Sequence, residues 1–430
     1  MKKPTLSSHF KDRKPSSIRQ AQIKFSKRVD QDMVTVVNLA IGNVNLPIHP
    51  AMKRRMDNLS FDKPFSAGKV PYTSTKGLQE TRDAFLNAIS SLDIDISNLF
   101  INITDGGSSA MEIMMLGVCG PGSVRPIMLL DPSYTNYSQF SKRLNIPIIN
   151  IDRKLNDSGK FEPLDINKIS KAIEINSPSA IVIIPYDNPT GQFLNQNTIN
   201  EIAKICVNNG VWMVSDEAYR PMVFMAEEPS SIWKIPKNIF PKNFHLRISI
   251  ESASKVWNAC GLRIGGIITD NREFHLKSIS EYTANLCANN IGQYIFGALA
   301  HESKSQIRKW YSKQNLYYME LFKSINEGLK KSLPGIIVSE PEASIYCTLD
   351  FRRIANKTFD SDDFVNFCAE EGSVKINQKI YTVLLAPMKG FYINSDIGKT
   401  QVRLSLVEDP FLLSLTPDII ASLFKSYSKG

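Results

Sequence analysis

The chain has no CxxC pair. Its six cysteines (Cys119, Cys206, Cys260, Cys287, Cys347, Cys368) are scattered over 430 residues, and its five histidines (His9, His49, His245, His275, His301) never fall at metal-ligand spacing. On that pattern neither a disulfide framework nor a structural zinc site is expected, nor any other metal, and a reducing compartment, the cytoplasm, fits best. Long apolar runs are also missing. The longest, such as Ala180 to Pro185, are strand-sized, far short of the roughly 18 residues a spanning helix needs, so no membrane role is expected. Net charge is nearly absent from the body of the chain. The formal charge is +9, but residues 1–29 hold nine basic residues (Lys2, Lys3, Lys11, Arg13, Lys14, Arg19, Lys24, Lys27, Arg28) against Asp12 alone, leaving +1 for all the rest. A near-neutral body behind a basic arm is not the distribution of a protein that wraps nucleic acid. The arm is Ser-rich and poor in acids, a weak likeness to a transit peptide; a solvated arm or terminal helix is the reading we prefer.

What is present is a large globular chain. With 43% apolar and 22% charged residues it is not disordered, and 430 residues predict two or three lobes. From Leu99 to about Asp270, short β-branched runs alternate with amphipathic stretches. The runs are Leu99–Thr104, Pro126–Asp131, Ile148–Ile151, Ala180–Tyr186, Val211–Asp216, Leu246–Glu251 and Gly266–Asp270, with helical patterns between several of them, as at Ser109–Val118 and Asn197–Asn208. Strands with so little polar alternation require cover on both faces, which predicts an α/β domain with a mainly parallel, seven-stranded sheet between helices. After Asn271 the pattern turns helical and continues through Trp310, Tyr317 and Leu321, too long for one capped helix, so a break is expected within it. From Leu333 short strands return at Ile336–Val338, Ser344–Leu349 and Gln401–Ser405, predicting a smaller α+β lobe. Near the start, Ile18, Ala21, Phe25 and Val29 fall at helical spacing behind Ser16 and Ser17 as candidate caps. The expected division is an N-terminal arm and small-domain segment (1–50), a large domain (51–300) and a C-terminal small domain (301–430).

In open α/β sheets ligands bind beyond the carboxyl ends of the strands, and three of these ends are chemically loaded. Ala180–Tyr186 leads into Asp187-Asn188-Pro189-Thr190-Gly191, Val211–Ser215 into Asp216-Glu217-Ala218-Tyr219, and Leu246–Glu251 into Ser252-Ala253-Ser254-Lys255, with Arg263 shortly beyond. Each piece alone reads as ordinary: a turn, a helix cap, a solvated lysine, a surface arginine. Their joint order after successive strands does not.

In that order the sequence resembles the fold-type I pyridoxal-phosphate aminotransferases of class I/II, from about Ile18 to Tyr427. The matching pieces are Leu39-Ala40-Ile41-Gly42, Tyr72 with Gly77, Thr104-Asp105-Gly106-Gly107-Ser108-Ser109-Ala110, Pro132-Ser133-Tyr134, the NPTG at 188–191, the DEAY at 216–219, the SxSK at 252–255, Arg263, and Val402-Arg403-Leu404-Ser405. The stretch from Leu385 to Leu404 looks closest to the aspartate-type or broad-range branch. The resemblance implies pyridoxal 5'-phosphate as cofactor and transfer of an amino group between an L-amino acid and a 2-oxo acid, most simply 2-oxoglutarate, by a ping-pong exchange.

It also implies roles. Lys255 would hold the aldehyde as a Schiff base and then shuttle the proton at the substrate's α-carbon. Asp216 would pair with the ring nitrogen, and Asn188 and Tyr219 would hydrogen-bond the ring's phenolic oxygen. Tyr134 would stack on the ring face. Gly107 and Ser108, at a strand-to-helix junction, would meet the phosphate with backbone amides, completed by Ser252 and the guanidinium of Arg263. Tyr72 would reach the phosphate in a neighbouring subunit, implying a homodimer. Arg403 would take the α-carboxylate, with Asn188 beside it and Gly42 letting the backbone approach closely.

The chain departs from many relatives at Asn43-Val44-Asn45, where an acidic residue or Gln followed by Pro-Asp is common, and it offers no evident second arginine for a dicarboxylate's distal end. Elimination or synthase chemistry, as in carbon–sulfur lyases of the same fold, shares the same cofactor residues. A sensor domain of a transcription regulator would need a DNA-binding module ahead of the first motif, for which fewer than about 40 residues are present. Donor, pathway and direction are not written in the motifs.

Overall fold

The computed structural model describes residues 3–61, 65–225, 228–241 and 245–428, Ser17 by its backbone alone; Lys2 of the basic arm lies outside them. After β1 (Val34–Asn38) come the strands of a seven-stranded sheet: β2 (Phe100–Thr104), β3 (Ile127–Asp131), β4 (Ile148–Asp152), β5 (Ala180–Ile183), β6 (Trp212–Asp216), β7 (Arg247–Ser252) and β8 (Gly265–Thr269). All seven apolar runs of the sequence are strands. Their order across the sheet is β2-β8-β7-β6-β5-β3-β4. Pairings are parallel from β4 to β7, whereas β8 runs antiparallel to both β7 and β2. Both faces are dry. Ile181 and Ile183 of β5 join one apolar cluster, while Ala180 and Val182 of the same strand join the other, as a sheet sandwiched between helices demands.

The helices follow the sequence periodicity closely, at Gly106–Val118, Gln196–Asn209, Arg272–Tyr282, Asn290–Gly297 and Lys304–Ser332. The helical stretch is broken twice, between Tyr282 and Asn290 and between Gly297 and Lys304, and the last helix starts on a full capping box between Ser303 and Gln306.

Two smaller sheets complete the chain. β9 (Ile337–Val338), β10 (Tyr346–Asp350), β13 (Ala386–Pro387) and β14 (Gln401–Ser405) form one in the order β13-β14-β10-β9, and β11 (Val374–Ile376) and β12 (Lys379–Leu384) join β1 in the other. β1 pairs parallel with β12, Val34 to Ile380 through Asn38 to Leu384; neither that strand nor its partner is evident from sequence. The segment between β13 and β14 returns the chain to the large sheet. Asp131, at the end of β3, accepts from the Ile393 N–H at 2.7 Å, and Ser133 N–H donates to the Phe391 carbonyl at 2.8 Å.

The basic arm is partly docked. Residues Ser17–Phe25 form a helix with Ser16 at its N-cap, although the Ser16 side chain makes no capping bond. Ala21 is buried, and Ile18 and Phe25 pack on the core. Val29 lies beyond the helix and is fully exposed, because the chain turns away after Phe25; the helical pattern overran by one turn. Arg28 fixes the helix end, donating to the Glu371 and Gly372 carbonyls at 3.1 and 2.8 Å. Among the described residues no helix is long and apolar enough to cross a membrane.

Candidate active site

The carboxyl ends of β2, β5, β6 and β7 open on one cavity of about 600 Å³, within the range for small-molecule sites. Gly107, Ser108, Tyr134, Asn188, Asp216, Tyr219, Ser252, Lys255, Arg263, Gly42 and Arg403 all line it. Tyr72 does not, being 79% exposed on a segment without regular secondary structure outside the cavity.

Asp216 ends β6 at 3% exposure. It accepts from the Tyr137 hydroxyl at 2.9 Å and the Ala218 N–H at 3.2 Å. Burial nevertheless pushes its carboxyl up to about 6, the two hydrogen bonds opposing that rise. Tyr137 is itself held protonated, since burial and the neighbouring Asp216 raise its phenol well above the usual range. A carboxylate so placed is suited to a cationic ring N–H.

Asn188 and Tyr219 lie 3.4 Å apart, and the Tyr219 and Tyr346 hydroxyls are 2.9 Å apart. Beneath Asn188, Asp187 pairs with Arg153 at 2.7 Å and accepts from Thr190 at 2.5 Å, which pins the NPTG turn to the sheet. Tyr134 is neutral, its phenol pushed up to about 12 by burial.

The anion cradle forms where β2 gives way to the Gly106–Val118 helix. Gly106 takes φ +76°, and a Cβ there would lie 2.5 Å from Arg263 Nη2, so only glycine admits the guanidinium against the helix start. Free amides of the first helical turn, the Ser108 and Ser252 hydroxyls and Arg263 are a donor set for a phosphate dianion. Lys255 follows β7, half-buried, its Nζ donating to the Gly42 carbonyl. Side-chain space at Gly42 is taken by the Tyr346 hydroxyl and the lysine amine. With a buried carboxylate, a phosphate cradle and one amine in a single cavity, the residues fit pyridoxal phosphate.

Arg403, on β14, is 1% exposed. Its Nη atoms donate to Asn188 Oδ1 at 2.9 Å and to the Ala40 carbonyl at 2.5 Å, while Nε has no partner. Its guanidinium sits 4.2 Å from the Tyr346 ring centroid and 5.0 Å from that of Phe391. A fully buried arginine with an orphaned donor and, among the described residues, no carboxylate partner is built to receive one from a ligand.

Sequence reasoning missed three lining or supporting residues. Tyr137 looks like an ordinary helix aromatic and Tyr346 like a strand residue. Arg19 is one basic residue among nine, yet it lines the cavity together with Ser16 and Ile18.

The chain is similar to known proteins. The family model described as aminotransferase class I and II matches residues 34–406. The aspartate aminotransferase of Sulfolobus acidocaldarius is 25% identical over 391 residues, covering 87% of this chain and 86% of that protein. A probable aspartate aminotransferase of Methanocaldococcus jannaschii is 28% identical over 364 residues, covering 79% and 83%. Among solved structures, the Thermus thermophilus aspartate aminotransferase with maleate superposes with a TM-score of 0.79 at 20% identity, covering 98% of this chain and all of that one.

Proposed function

The chain belongs to the class I and II aminotransferases, enzymes that transfer an amino group with pyridoxal phosphate, and on that premise we propose how its own residues perform the transfer and what they act on. When bound, pyridoxal phosphate supplies the aldehyde that takes up the amino group and the electron-withdrawing ring that acidifies the substrate's α-proton.

Lys255 would hold the aldehyde carbon in the resting enzyme and, once released by substrate, its amine would take the α-proton and return it to the former aldehyde carbon. Asp216, kept in place by Tyr137, pairs with the ring N–H and so keeps the ring cationic. Asn188 and Tyr219 donate to the ring oxygen, and Tyr134 covers the ring face. Gly107, Ser108, Ser252 and Arg263 hold the phosphate. Arg403 fixes the α-carboxylate through a planar, two-bond grip, which points the α-C–H at the lysine; Asn188, already 2.9 Å from Arg403, steadies that grip. Gly42, without a side chain, would let its backbone lie close to the same carboxylate.

The substrates are an L-amino acid and a 2-oxo acid, 2-oxoglutarate the most direct acceptor. The single observation that supports this reading is the convergence of Lys255, Asp216, Arg263 and Arg403 on one cavity. The working unit is a homodimer. Val70 and Tyr72, 60% and 79% exposed on one irregular segment, are apolar surface for a second copy, with Tyr72 reaching its partner's phosphate. Six free cysteines support a cytoplasmic location, and the sheet boundaries support domains at 1–50, 51–300 and 301–430.

Mixing the cofactor-loaded protein with single amino acids tests the proposal. A stoichiometric change of the cofactor absorbance with release of one 2-oxo acid, reversed by 2-oxoglutarate, supports transfer. Continuous pyruvate and ammonia from a β-substituted amino acid without any acceptor would instead assign elimination.

A further inference from the structure

The cavity holds five residues of formal charge: Arg19, Lys255, Arg263 and Arg403 on one side of the balance, Asp216 on the other. Under the proposed function Lys255, Arg263 and Asp216 are engaged by the cofactor and Arg403 by the substrate's α-carboxylate. One cation remains. Arg19 is exposed, and Nη1 donates only to the neutral Gln22 Oε1, three residues along its own helix, at 3.0 Å. Among the described residues no Asp or Glu oxygen lies within 4.0 Å of it.

Its placement follows from the helix. Ala21 and Phe25, one turn apart, are the face that packs on the core, and Arg28 anchors the helix end to the Glu371 and Gly372 carbonyls. Ser16 and Arg19, three apart, share another face, and both line the cavity. A long cationic side chain is thereby held at the mouth of a site whose floor already grips one carboxylate.

We propose that Arg19 is the specificity residue that binds the distal carboxylate of a dicarboxylic substrate, an acidic amino acid or its 2-oxo acid. This rests on the transfer reaction proposed above and adds its substrate class. The second arginine that the sequence does not announce comes from the basic arm. Selectivity then follows from charge: a neutral side chain leaves Arg19 in water, whereas a distal carboxylate gains a charge-assisted contact in a cavity partly screened from solvent.

The test compares kcat/KM for glutamate with that for alanine in the cofactor-loaded wild type and in Arg19→Gln, Arg19→Glu and Arg19→Lys. The glutamate-to-alanine ratio is expected to fall about tenfold or more in Arg19→Gln, further in Arg19→Glu, and to stay within about threefold of wild type in Arg19→Lys. The wild-type ratio itself should fall as salt rises towards 0.5 M, on the order of a few-fold, while that of Arg19→Gln stays flat. A ratio unchanged within about twofold in Arg19→Gln and Arg19→Glu overturns the assignment. Failure of the parent reading looks different: a wild-type protein that transfers the amino group of neither substrate.

Discussion

Replacing Asp216 by Asn is expected to stabilise the cofactor-free protein and cripple the enzyme. The carboxyl's ordinary value of 3.8 rises to about 6 chiefly because burial penalises the charge, and that rise corresponds to about 3 kcal/mol. A raised value means the folded state holds the proton more tightly than the unfolded chain does. The favourable contribution is therefore fully present below about pH 4 and is lost as pH rises through about 6; above that, the ionised group weighs on the fold by about 3 kcal/mol. Asn carries no charge. It retains both contacts, accepting from Ala218 N–H and donating to the Tyr137 oxygen. An unfolding entropy of about 2.1 cal/mol/K per residue gives about 0.9 kcal/mol/K for this chain, so cofactor-free Asp216→Asn should melt about 3 °C above wild type at pH 8. The gap should close near pH 4. In the loaded enzyme the same change removes the ionic partner of the ring, a loss of about 3–5 kcal/mol for half of a buried pair, so the half-reaction with an amino acid should slow at least about 10²-fold. Differential scanning calorimetry at pH 4 and 8, and stopped-flow absorbance, provide the two readings. A variant that melts no higher than wild type at pH 8, or whose half-reaction stays within about threefold, refutes the reasoning.

Tyr137→Phe removes a hydrogen bond that opposes the rise at Asp216, so the carboxyl of the cofactor-free protein should titrate at higher pH than in wild type, as read by infrared difference spectroscopy; a shift the other way would contradict the assigned contact. Arg403→Lys replaces a two-bond grip by a point charge, and KM should rise about 10- to 100-fold for every α-carboxylate substrate alike. A change confined to one amino acid would place the α-carboxylate elsewhere. Arg220 meets both Glu251 oxygens at 2.8 Å and Glu217 at 3.0 Å, all three groups buried. Arg220→Met should lower stability by about 3–5 kcal/mol by stranding two carboxylates, measured by thermal unfolding at pH 7; a melting point equal to wild type would show that the cluster is not held together by that arginine.

Much of the large sheet was legible because strands buried on both faces leave little room for polar residues, so β2 to β8 stand out as apolar runs with turns between them. Their spatial order was not. β8 lies between β2 and β7, antiparallel to both, and no local pattern encodes a pairing across more than 160 positions. β1 escaped for the same reason: Val34–Asn38 is a short, half-exposed segment that becomes a strand only against Lys379–Leu384.

The site divides in the same way. Asn188, Asp216 and Lys255 each lie at or just beyond the end of a recognisable strand, so position and residue type together mark them. Tyr137, Tyr346 and Arg19 carry no local mark. Tyr137 matters because a helix turns it under Asp216, Tyr346 because β10 sets its hydroxyl 2.9 Å from Tyr219, and Arg19 because its helix docks beside the cavity. Those are packing facts, settled between segments distant in sequence.

The central claim is that Lys255 is the residue joined to the cofactor. Loading the protein with pyridoxal phosphate, reducing it with borohydride and mapping the digest by mass spectrometry tests that claim at a single atom. The account predicts one added reduced cofactor per chain, on the peptide containing Lys255. The same mass on another lysine, or a cofactor that stays bound yet is never fixed to the chain, would contradict it.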